Sequence, residues 1–542
     1  MDVWEGAEPI EPVGAIFTKP EIIELILDIA GYVPVTERLS AARLLEPSCG
    51  DGAFLVAAIR RLLASERYHR QTLDWFDTDL ERALTACDLN SGFIALARQQ
   101  VAALLTEESC PGPRARTLAE LWIVHADFLL TRWPTPFDFV VGNPPYVRIE
   151  ELPPKVLHRY RELYRTSADR ADLYVAFFEN GLRLLSSRGC LAYICANRFA
   201  KNLYGRALRQ LISDQFHVRY YLNLEHTQPF LSDVSAYPCI TVLDRHRGES
   251  TLSATLHDIA PSTLKAISPA IHAKTHRRPL AVFQSWYANG APWVSTERAG
   301  YDRLVSLAQH CPTLEESATN TNVGIGVATG ADSVFVLPQR DPSIEAACQL
   351  PLLMAADVRH AALAWSGHQL VNPFSDADDG SLRDFKDFPG FAAYFLCHRR
   401  RIEKRHVAQK RPESWYRTID RVTRTLTYRP KLVIPDIQTG GLIGFDAGDY
   451  YPHHNVYWIT SDGWNLRALQ ALLRSQLVLE QIRAYSVQMR GGSIRYQAQV
   501  LRQVRVPAAI QLSADLLGRL AAIATSDNQP AINALAEEAF AP

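Results

Sequence analysis

The chain has 542 residues, of which 47% are apolar and 21% charged, and its formal net charge at pH 7 is −1. At about 100–200 residues per domain, this length predicts two to four domains, and the composition excludes a disordered or collagen-like chain. The sequence has no run of eighteen apolar residues, no basic leader segment and no CxxC pair among its nine cysteines. We therefore expect a cytoplasmic protein without a transmembrane segment, a signal peptide or a metal site.

Short apolar strands alternate with helical patterns over the first 245 residues. Strands are predicted at residues 43–46, 84–88, 122–126, 137–142, 190–195, 218–223 and 240–243. Helices are predicted between most of them, at residues 53–63, 91–105, 172–185 and 204–213. This alternation predicts an α/β domain with an open, doubly wound, mostly parallel sheet, in which ligands bind beyond the carboxyl ends of the strands.

The pattern changes after residue 248, where we place the boundary between a first domain, 1–248, and a second domain, 249–542. Isolated strands rich in Pro and Gly follow at residues 323–336, 431–437 and 455–459, and helical runs close the chain at residues 464–485 and 513–540. For this second domain we expect a mixed α+β fold.

Positive charge is concentrated in the second domain. Residues 399–431 contain twelve Arg and Lys against three Asp and Glu, in a chain whose net charge is −1. Such a basic segment predicts a polyanionic partner, and the alternative interpretation is a solvated helix face. The candidate contacts are Arg399, Arg400, Arg401, Lys404 and Arg405.

Polar side chains follow three successive predicted strands. The first strand leads into the run Glu46-Pro47-Ser48-Cys49-Gly50-Asp51-Gly52-Ala53-Phe54. Its two glycines allow a tight turn and a close approach of the backbone to a ligand. Asp88 ends the second strand, where a carboxylate can hold both ribose hydroxyls of a nucleoside. Asp127 ends the third strand, where it can accept from an adenine amine while Phe128 packs on the ring. Each is alternatively an ordinary strand-end carboxylate, but together they predict a nucleoside site.

The fourth predicted strand leads into Asn143-Pro144-Pro145-Tyr146, a string expected by chance in roughly one chain of this length in a hundred. Two prolines fix the backbone, so the side-chain oxygen of Asn143 and the carbonyl of Pro144 can converge on one planar amine. These acceptors would draw the amine nitrogen toward a tetrahedral shape and free its lone pair for attack, while Tyr146 stacks on the ring. The alternative interpretation is a rigid Pro-Pro turn.

In their order, these motifs resemble those of adenine-N6 DNA methyltransferases of restriction–modification systems, in the gamma arrangement of TaqI-like enzymes. Residues 16–20 match the leading motif, and later motifs are matched by residues 46–54, 88–89, 127–128, 143–146, 172–174 and 190–213. Phe230 matches the phenylalanine that contacts a flipped base on the side opposite Tyr146. Residues 324–336, 431–435, 455–458 and 490–496 resemble signatures of the family's target recognition domain.

The resemblance implies a seven-stranded Rossmann-like methyltransferase domain, a C-terminal target recognition domain and the cofactor S-adenosylmethionine. The implied cofactor contacts are Thr18, Glu46, Ser48, Cys49, Gly50, Gly52, Phe54, Asp88, Leu89, Asp127, Phe128 and Asn143. The implied catalytic set is Asn143, Pro144, Pro145, Tyr146 and Phe230, and Ser493 and Arg495 join the candidate DNA contacts. The interval from Gly52 to Asp88 is long, so Asp77, Asp79 and Glu81 are rivals for the ribose role, although none of them ends an apolar run.

The resemblance predicts a monomer that methylates N6 of a flipped-out adenine in double-stranded DNA. A restriction partner, where one exists, would be a separate cognate endonuclease, because no nuclease-type carboxylate pattern stands out. Three alternatives stay open. The motif at Asn143 serves any planar amine or amide, so RNA or a protein glutamine is a second substrate class. Cytosine N4 is a third, although those enzymes more often carry Ser at this position. The last alternative is a DNA-specificity component without catalysis.

Overall fold

The computed structural model describes residues 16–541 with gaps at residues 72, 135, 168–170, 235–236, 247, 249, 273–279, 285, 295–297, 316–317, 360, 378 and 487–492. The first fifteen residues, on which the expectation about a signal peptide depends, lie outside the described residues, as do residues 490–492 of the predicted recognition signature. Among the described helices, none is both long enough and apolar enough to span a membrane.

The chain divides into two compact units, Met1–Arg298 and Ala299–Pro542. The division falls after residue 298 rather than near residue 248, because two strands beyond residue 248 extend the sheet of the first unit. Residues 250–255 read STLSAT, a mixed polar and apolar segment in place of the apolar runs that predicted the earlier strands.

The first unit is built on one large sheet. Its strands are β1 (Leu44–Glu46), β2 (Leu84–Asp88), β3 (Ile123–His125), β4 (Phe137–Gly142), β5 (Leu185–Ala196), β6 (His217–Asn223), β7 (Pro238–Asp244), β8 (Ser250–Thr255) and β9 (Ala281–Gln284). Their order is β3-β2-β1-β4-β5-β7-β6-β8-β9. The pairs among β1 to β5 are parallel, and β7 runs antiparallel to both β5 and β6.

The predicted α/β class is confirmed, but the number of strands differs from the expectation. The described part of the sheet has nine strands instead of seven, because β8 pairs with β6 in parallel and β9 pairs with β8 in antiparallel fashion. The seven expected strands occupy the other positions of the sheet. The helices of this unit are α1 (Pro20–Ala30), α2 (Ala53–Arg70), α3 (Thr78–Arg82), α4 (Ser91–Glu107), α5 (Gly112–Trp122), α6 (Pro154–Leu163), α7 (Tyr174–Arg183), α8 (Arg198–Lys201), α9 (Arg206–Gln215) and α10 (Pro261–His272).

The carboxyl ends of the parallel strands determine where the polar segments meet. β1, β2, β3 and β4 are neighbours with one direction, so the residues that follow them lie along one edge of the sheet. The buried faces of these strands and of the helices around them form the apolar core of the unit, in which strand residues such as Leu44, Ala86 and Val141 pack with α1 and α2.

The second unit contains several small sheets. Its strands are β10 (Asn322–Ile325), β11 (Val336–Leu337), β12 (Gln349–Leu353), β13 (Val358–Arg359), β14 (Ala362–Leu363), β15 (Gln369–Val371), β16 (Lys431–Pro435), β17 (Ile437–Gln438), β18 (Gly444–Asp446), β19 (Tyr451–Pro452), β20 (Val456–Thr460) and β21 (Ile494–Arg495). The described strands form two four-stranded sheets, β10-β20-β16-β18 and β11-β15-β12-β19, and two two-stranded ones.

The helices of the second unit include two predicted runs that the structure divides. The helices of this unit are α11 (Arg298–His310), α12 (Asp332–Phe335), α13 (Pro389–Ile402), α14 (His406–Lys410), α15 (Thr425–Tyr428), α16 (Leu466–Leu473), α17 (Gln476–Tyr485), α18 (Ala498–Leu501), α19 (Ala514–Ile523) and α20 (Gln529–Phe540). The run 464–485 divides because the side chain of Ser475 caps a new helix start by accepting from the backbone N–H of Val478. Asn528 caps α20 in the same way.

Candidate active site

The segment before α1 pairs with the loop that follows β6. The backbone N–H of Lys19 donates to the Pro229 carbonyl at 2.9 Å, and that of Leu231 donates to the Phe17 carbonyl at 2.9 Å. This antiparallel bridge places Thr18 opposite Phe230. Two segments about two hundred residues apart in sequence are thereby fixed together at the predicted site.

Asn143 is held by its amide nitrogen. Its Nδ2 donates to the Ile16 carbonyl at 2.7 Å and to Thr18 Oγ1 at 3.2 Å. Its backbone carbonyl accepts from Ser48 Oγ at 3.0 Å. Its Oδ1 is buried and has no hydrogen-bond partner within the described part of the chain. Because buried polar atoms are nearly always paired, this oxygen is an acceptor suited to a donor that the described residues do not supply.

Tyr146 and Phe230 lie in direct contact. Their ring centroids are 6.0 Å apart with an interplanar angle of 82°, an edge-to-face arrangement. A base stacked between two parallel rings needs two contacts of about 3.5 Å each, or roughly 7 Å between the rings. The two predicted rings are therefore in contact, at a separation and angle that leave no room for a third ring stacked between them.

The Tyr146 hydroxyl is buried. It has no hydrogen-bond partner among the residues that the structure describes. Burial raises the pKa of the phenol well above its usual range, and the neighbouring thiols of Cys195 and Cys239 raise it further. The group therefore stays neutral and presents its ring, rather than a charge, to a ligand.

The glycine turn after β1 has the backbone that the sequence predicts. Gly50 and Gly52 have φ angles of +52° and +90°, a region that side chains disfavour. A Cβ on Gly52 would also lie 3.1 Å from Cβ of Ala97. Within the same run, Cys49 and Phe54 are buried. The turn therefore depends on both glycines, and α2 begins directly after the second.

Asp88 is tied to this glycine turn. Its Oδ2 accepts from the backbone N–H of Gly50 at 2.9 Å, and its Oδ1 accepts from that of Asn90 at 2.8 Å. Its neighbour Leu89 is exposed. The rivals Asp77, Asp79 and Glu81 precede β2, at the opposite end of the strand, and pair with arginines. The position beside the turn therefore favours Asp88 for the ribose role.

Glu46 is a buried carboxyl group at the end of β1, with 1% of its surface exposed. Its Oε2 has no partner among the described residues. Burial raises the pKa of the Glu46 carboxyl well above its usual range, and the charges of Asp51 and Asp88 raise it further. A hydroxyl or ammonium donor from a ligand would satisfy this oxygen.

Asp127 is engaged within the protein. Its Oδ1 accepts from the backbone N–H of Leu129 at 2.8 Å, and its Oδ2 accepts from the Tyr160 hydroxyl at 2.8 Å. Phe128 is buried and packs against Phe177 at a centroid distance of 4.9 Å. These contacts give Asp127 a structural role in its turn, and its contact with an adenine amine stays a prediction.

Sequence reasoning missed several residues of the site. The contacts of the Ile16 carbonyl with Asn143 and of Tyr160 with Asp127 were not predicted, because the partners lie far apart in sequence. Ile16 itself belongs to the predicted leading motif. Asn197 was detectable, since it directly follows a parallel strand, β5, as Asn143 follows β4. Its Nδ2 donates to Glu225 Oε2 at 3.1 Å, and its buried Oδ1 has no partner in the described residues.

The predicted DNA contacts of the second unit differ in their surroundings. Arg400, Arg401 and Lys404 are exposed at or beyond the end of α13. Arg399 is exposed too, and its Nε donates to Glu403 Oε1 at 2.7 Å. Arg405 donates to four backbone carbonyls, those of Thr329, Ile402, Trp415 and Arg417, at 2.6–3.1 Å. Arg405 therefore stabilises the fold of this unit.

The other two candidates lie near the end of the chain's last short strand. Arg495 forms an ion pair with Asp436, and Ser493 is half-buried beside it in sequence. Lys431, at the end of the basic segment, is fully buried against Asp446 at 2.7 Å. Part of the positive charge of this segment is therefore neutralised inside the unit.

A known protein family matches the part of the chain that contains several residues of this site. A family model described as Eco57I restriction-modification methylase matches residues 91–230. This range contains Asp127, Asn143, Tyr146 and Phe230. This match agrees with the predicted resemblance to methyltransferases of restriction–modification systems.

Similarity to curated proteins extends over nearly the whole chain. It is 41% identical over 527 residues to the type II methyltransferase M.PaeR7I of Pseudomonas aeruginosa, covering 97% of this chain and 91% of that protein. It is 40% identical to the type II methyltransferase M.XhoI of Xanthomonas vasicola, covering 91% of each. The chain belongs to the type II methyltransferases of restriction–modification systems.

A solved structure shares the fold of both units. The type IIL restriction-modification enzyme MmeI, solved in complex with DNA, aligns with a TM-score of 0.61 and covers 96% of this chain and 73% of that chain. The sequence identity is 12%, so the likeness concerns the fold alone.

Proposed function

We propose that the protein transfers a methyl group from S-adenosylmethionine to N6 of an adenine in double-stranded DNA. The observation that carries this proposal is the Oδ1 atom of Asn143, a buried acceptor without a partner in the described residues. Its orientation is fixed because Nδ2 donates to Ile16 and Thr18. An acceptor held in this way suits one hydrogen of an exocyclic amine.

The groups at the ends of β1 and β2 suit the proposed cofactor. The Oε2 atom of Glu46, which has no partner among the described residues, can accept from a hydroxyl or ammonium group. Asp88 lies where it can receive the ribose hydroxyls. Gly50 and Gly52 carry no side chains, so a ligand can approach the backbone of the turn at these two positions. When bound, S-adenosylmethionine supplies an electrophilic methyl group on a sulfonium centre.

Residues of the protein prepare the amine for attack. An aromatic amine delocalises its lone pair into the ring and is a poor nucleophile. Hydrogen bonds to Asn143 Oδ1 and to the Pro144 carbonyl would favour a tetrahedral nitrogen, whose lone pair points out of the ring plane. Tyr146 would stack on the ring and keep the nitrogen in line with the methyl donor.

Adenine N6 is favoured over cytosine N4 because an Asn, rather than a Ser, occupies position 143. DNA is favoured over RNA and protein by membership in the type II methyltransferases. Exposed Arg400, Arg401 and Lys404 are proposed as phosphate contacts. We further propose that the enzyme acts as a monomer and that any endonuclease partner is a separate protein.

Transfer of labelled methyl groups tests this function. The full-length protein is incubated with methyl-labelled S-adenosylmethionine and, in parallel, with mixed-sequence duplex DNA, folded RNA and an unrelated protein. Label is expected in the DNA alone, and the Asn143→Ala variant should lose it. Label in RNA or protein instead of DNA would contradict the proposal, and absence of label from all three would favour a protein without catalysis.

A further inference from the structure

Two histidines and an aspartate converge in the second unit, outside the proposed active site. The ligand atoms of Asp332, His453 and His454 all lie within 4.8 Å of one another. His453 Nε2 is 3.2 Å from Asp332 Oδ2, and His454 Nδ1 is 3.8 Å from the same oxygen. His453 is buried, whereas the other two side chains are partly exposed to solvent.

The contacts of His453 determine which ring nitrogen is available. Its Nδ1 lies 2.8 Å from Oδ1 of Asn455, an oxygen that can only accept, so Nδ1 carries the hydrogen. On the other side, Nε2 faces a carboxylate oxygen, which also only accepts. Two acceptors that face each other at 3.2 Å need a cation between them, either a proton or a metal ion. A histidine that binds a metal usually donates its other N–H in the way seen at Asn455.

The carboxylate is oriented toward the histidines from its other side. The hydroxyl of Thr329 donates to Asp332 Oδ1, which leaves Oδ2 for the two rings. The same hydroxyl accepts from the backbone N–H of Ala331 at 3.1 Å.

The backbone holds the two segments that carry these ligands. The N–H of Gly326 donates to the Val456 carbonyl at 2.9 Å, and that of Val327 donates to the Pro452 carbonyl at 3.0 Å. A Cβ on Gly326 would lie 2.3 Å from that same carbonyl oxygen, so only glycine allows this approach. The ligand atoms are therefore brought together by the fold rather than by flexible side chains alone.

We propose that Asp332, His453 and His454 bind one divalent metal ion of the zinc type. Tetrahedral Zn²⁺ with bonds of about 2.0–2.1 Å places its ligand atoms roughly 3.3 Å apart, close to the 3.2 Å and 3.8 Å that separate Asp332 Oδ2 from the two ring nitrogens. Imidazole nitrogens favour zinc and its neighbours over magnesium or calcium. The exposed side of the cluster leaves a fourth position to water. This site is independent of the methyl-transfer site and was not expected from the cysteine spacing.

Metal titration of the full-length protein tests the site. Chelator-treated protein without an affinity tag is titrated with Zn²⁺ by calorimetry, and with Co²⁺ by its visible absorption. One ion per chain is expected. His454→Ala and Asp332→Asn each remove one ligand and should weaken Zn²⁺ binding by at least about tenfold, and Asn455→Ala should weaken it by about 10–100-fold. The surface variant His310→Ala, outside the cluster, should bind as wild type does.

Two results would overturn the proposal. One is the absence of saturable one-to-one Zn²⁺ binding, which would mean that only a proton lies between His453 and Asp332. The other is binding that His454→Ala and Asp332→Asn leave unchanged, which would place the metal elsewhere. Circular dichroism and methyl transfer to DNA are measured on each variant to detect misfolding. A variant that misfolds is replaced by Asp332→Ala or His454→Asn.

Discussion

Asn143 combines a structural and a proposed chemical role in one side chain. Its Nδ2 bonds fix the carboxamide plane, and its Oδ1, without a partner in the described residues, is the atom proposed to contact the substrate. In Asn143→Ala the loss of this transition-state contact should lower kcat by about a hundred- to a thousandfold, or roughly 3–4 kcal/mol. Affinity for cofactor and DNA should stay near wild type, as measured by single-turnover kinetics and equilibrium binding. Near-normal turnover would contradict the mechanism.

Thr18→Val is the matched control for that experiment. It keeps the bond from Asn143 to the Ile16 carbonyl and removes only the longer bond to Thr18 Oγ1. The loss of one such hydrogen bond costs about 1 kcal/mol, so kcat should fall by less than about tenfold. A loss as large as that of Asn143→Ala would mean that Thr18 has a role of its own in the reaction.

The buried carboxyl of Glu46 predicts a pH-dependent stability. Its pKa is raised in the folded protein by burial and by Asp51 and Asp88. Its contribution to stability is therefore complete below the unfolded pKa and is lost as the pH rises through the folded pKa. Glu46→Gln cannot ionise, so without cofactor it should melt above wild type at about pH 8 and near wild type at about pH 4.5.

Thermal melting across this pH range provides the measurement. The same variant should bind S-adenosylmethionine more weakly, because the amide offers a neutral acceptor in place of a carboxylate. A difference in Tm between the two proteins that does not change with pH would show that Glu46 keeps its ordinary pKa. Unchanged cofactor affinity would remove Glu46 from the proposed cofactor site.

In the second unit, α13 carries the exposed side chains of Arg400 and Arg401. Arg400→Ala and Arg401→Ala together should flatten the salt dependence of DNA binding, by about 0.9 in the log–log slope for each lost phosphate contact. Cognate and random duplexes should lose affinity about equally. The control is Arg519→Ala, since Arg519 already pairs with Asp515 and Glu538. An unchanged slope in the double variant would identify α13 as an ordinary solvated helix.

The catalytic elements could largely be predicted from sequence, because each is encoded locally. Strands β2 and β4 have the predicted bounds, and the glycine turn and Asn143 follow their strands as expected. Parallel strands buried on both faces appear as apolar runs, which are easy to recognise. Predictions that needed only this pattern and the carboxyl-edge rule therefore agreed with the structure.

Elements that depend on distant partners could not be predicted. β8 is a mixed polar segment that becomes a strand because β6 lies beside it. The hydrogen bonds from Asn143 to Ile16, from Tyr160 to Asp127 and from Arg405 to backbone carbonyls likewise arise from tertiary contacts. Basic charge in a sequence does not distinguish an exposed arginine from one that holds backbone carbonyls together.

At the scale of the whole molecule, the contact between Tyr146 and Phe230 bears on how a base would enter. The two rings touch edge to face, so the proposed base extrusion must separate them as well as break a base pair. An adenine opposite a mismatch has already lost part of its pairing, so such DNA should bind tighter than matched duplex by up to a few kcal/mol.

Equilibrium binding of matched and mismatched duplexes, with a cofactor analogue present, measures this difference. The gain should persist in Asn143→Ala, which keeps both rings. Tyr146→Ala loses a stacking surface worth roughly 1–3 kcal/mol, so both DNAs should bind more weakly. Equal affinity of the wild-type protein for the two duplexes would mean that the base is not extruded in the bound state.

The identity of the methylated base in cellular DNA tests the central proposal most directly. DNA from cells that express the wild-type chain, and from cells that express Asn143→Ala, is digested to nucleosides and analysed by mass spectrometry. The proposed function predicts N6-methyladenine above the host background only in cells that express the wild-type chain. When the same DNA is sequenced for modified bases, the modified adenines should lie within one recognition sequence. N4-methylcytosine in its place, or no methylated base that depends on Asn143, would contradict it.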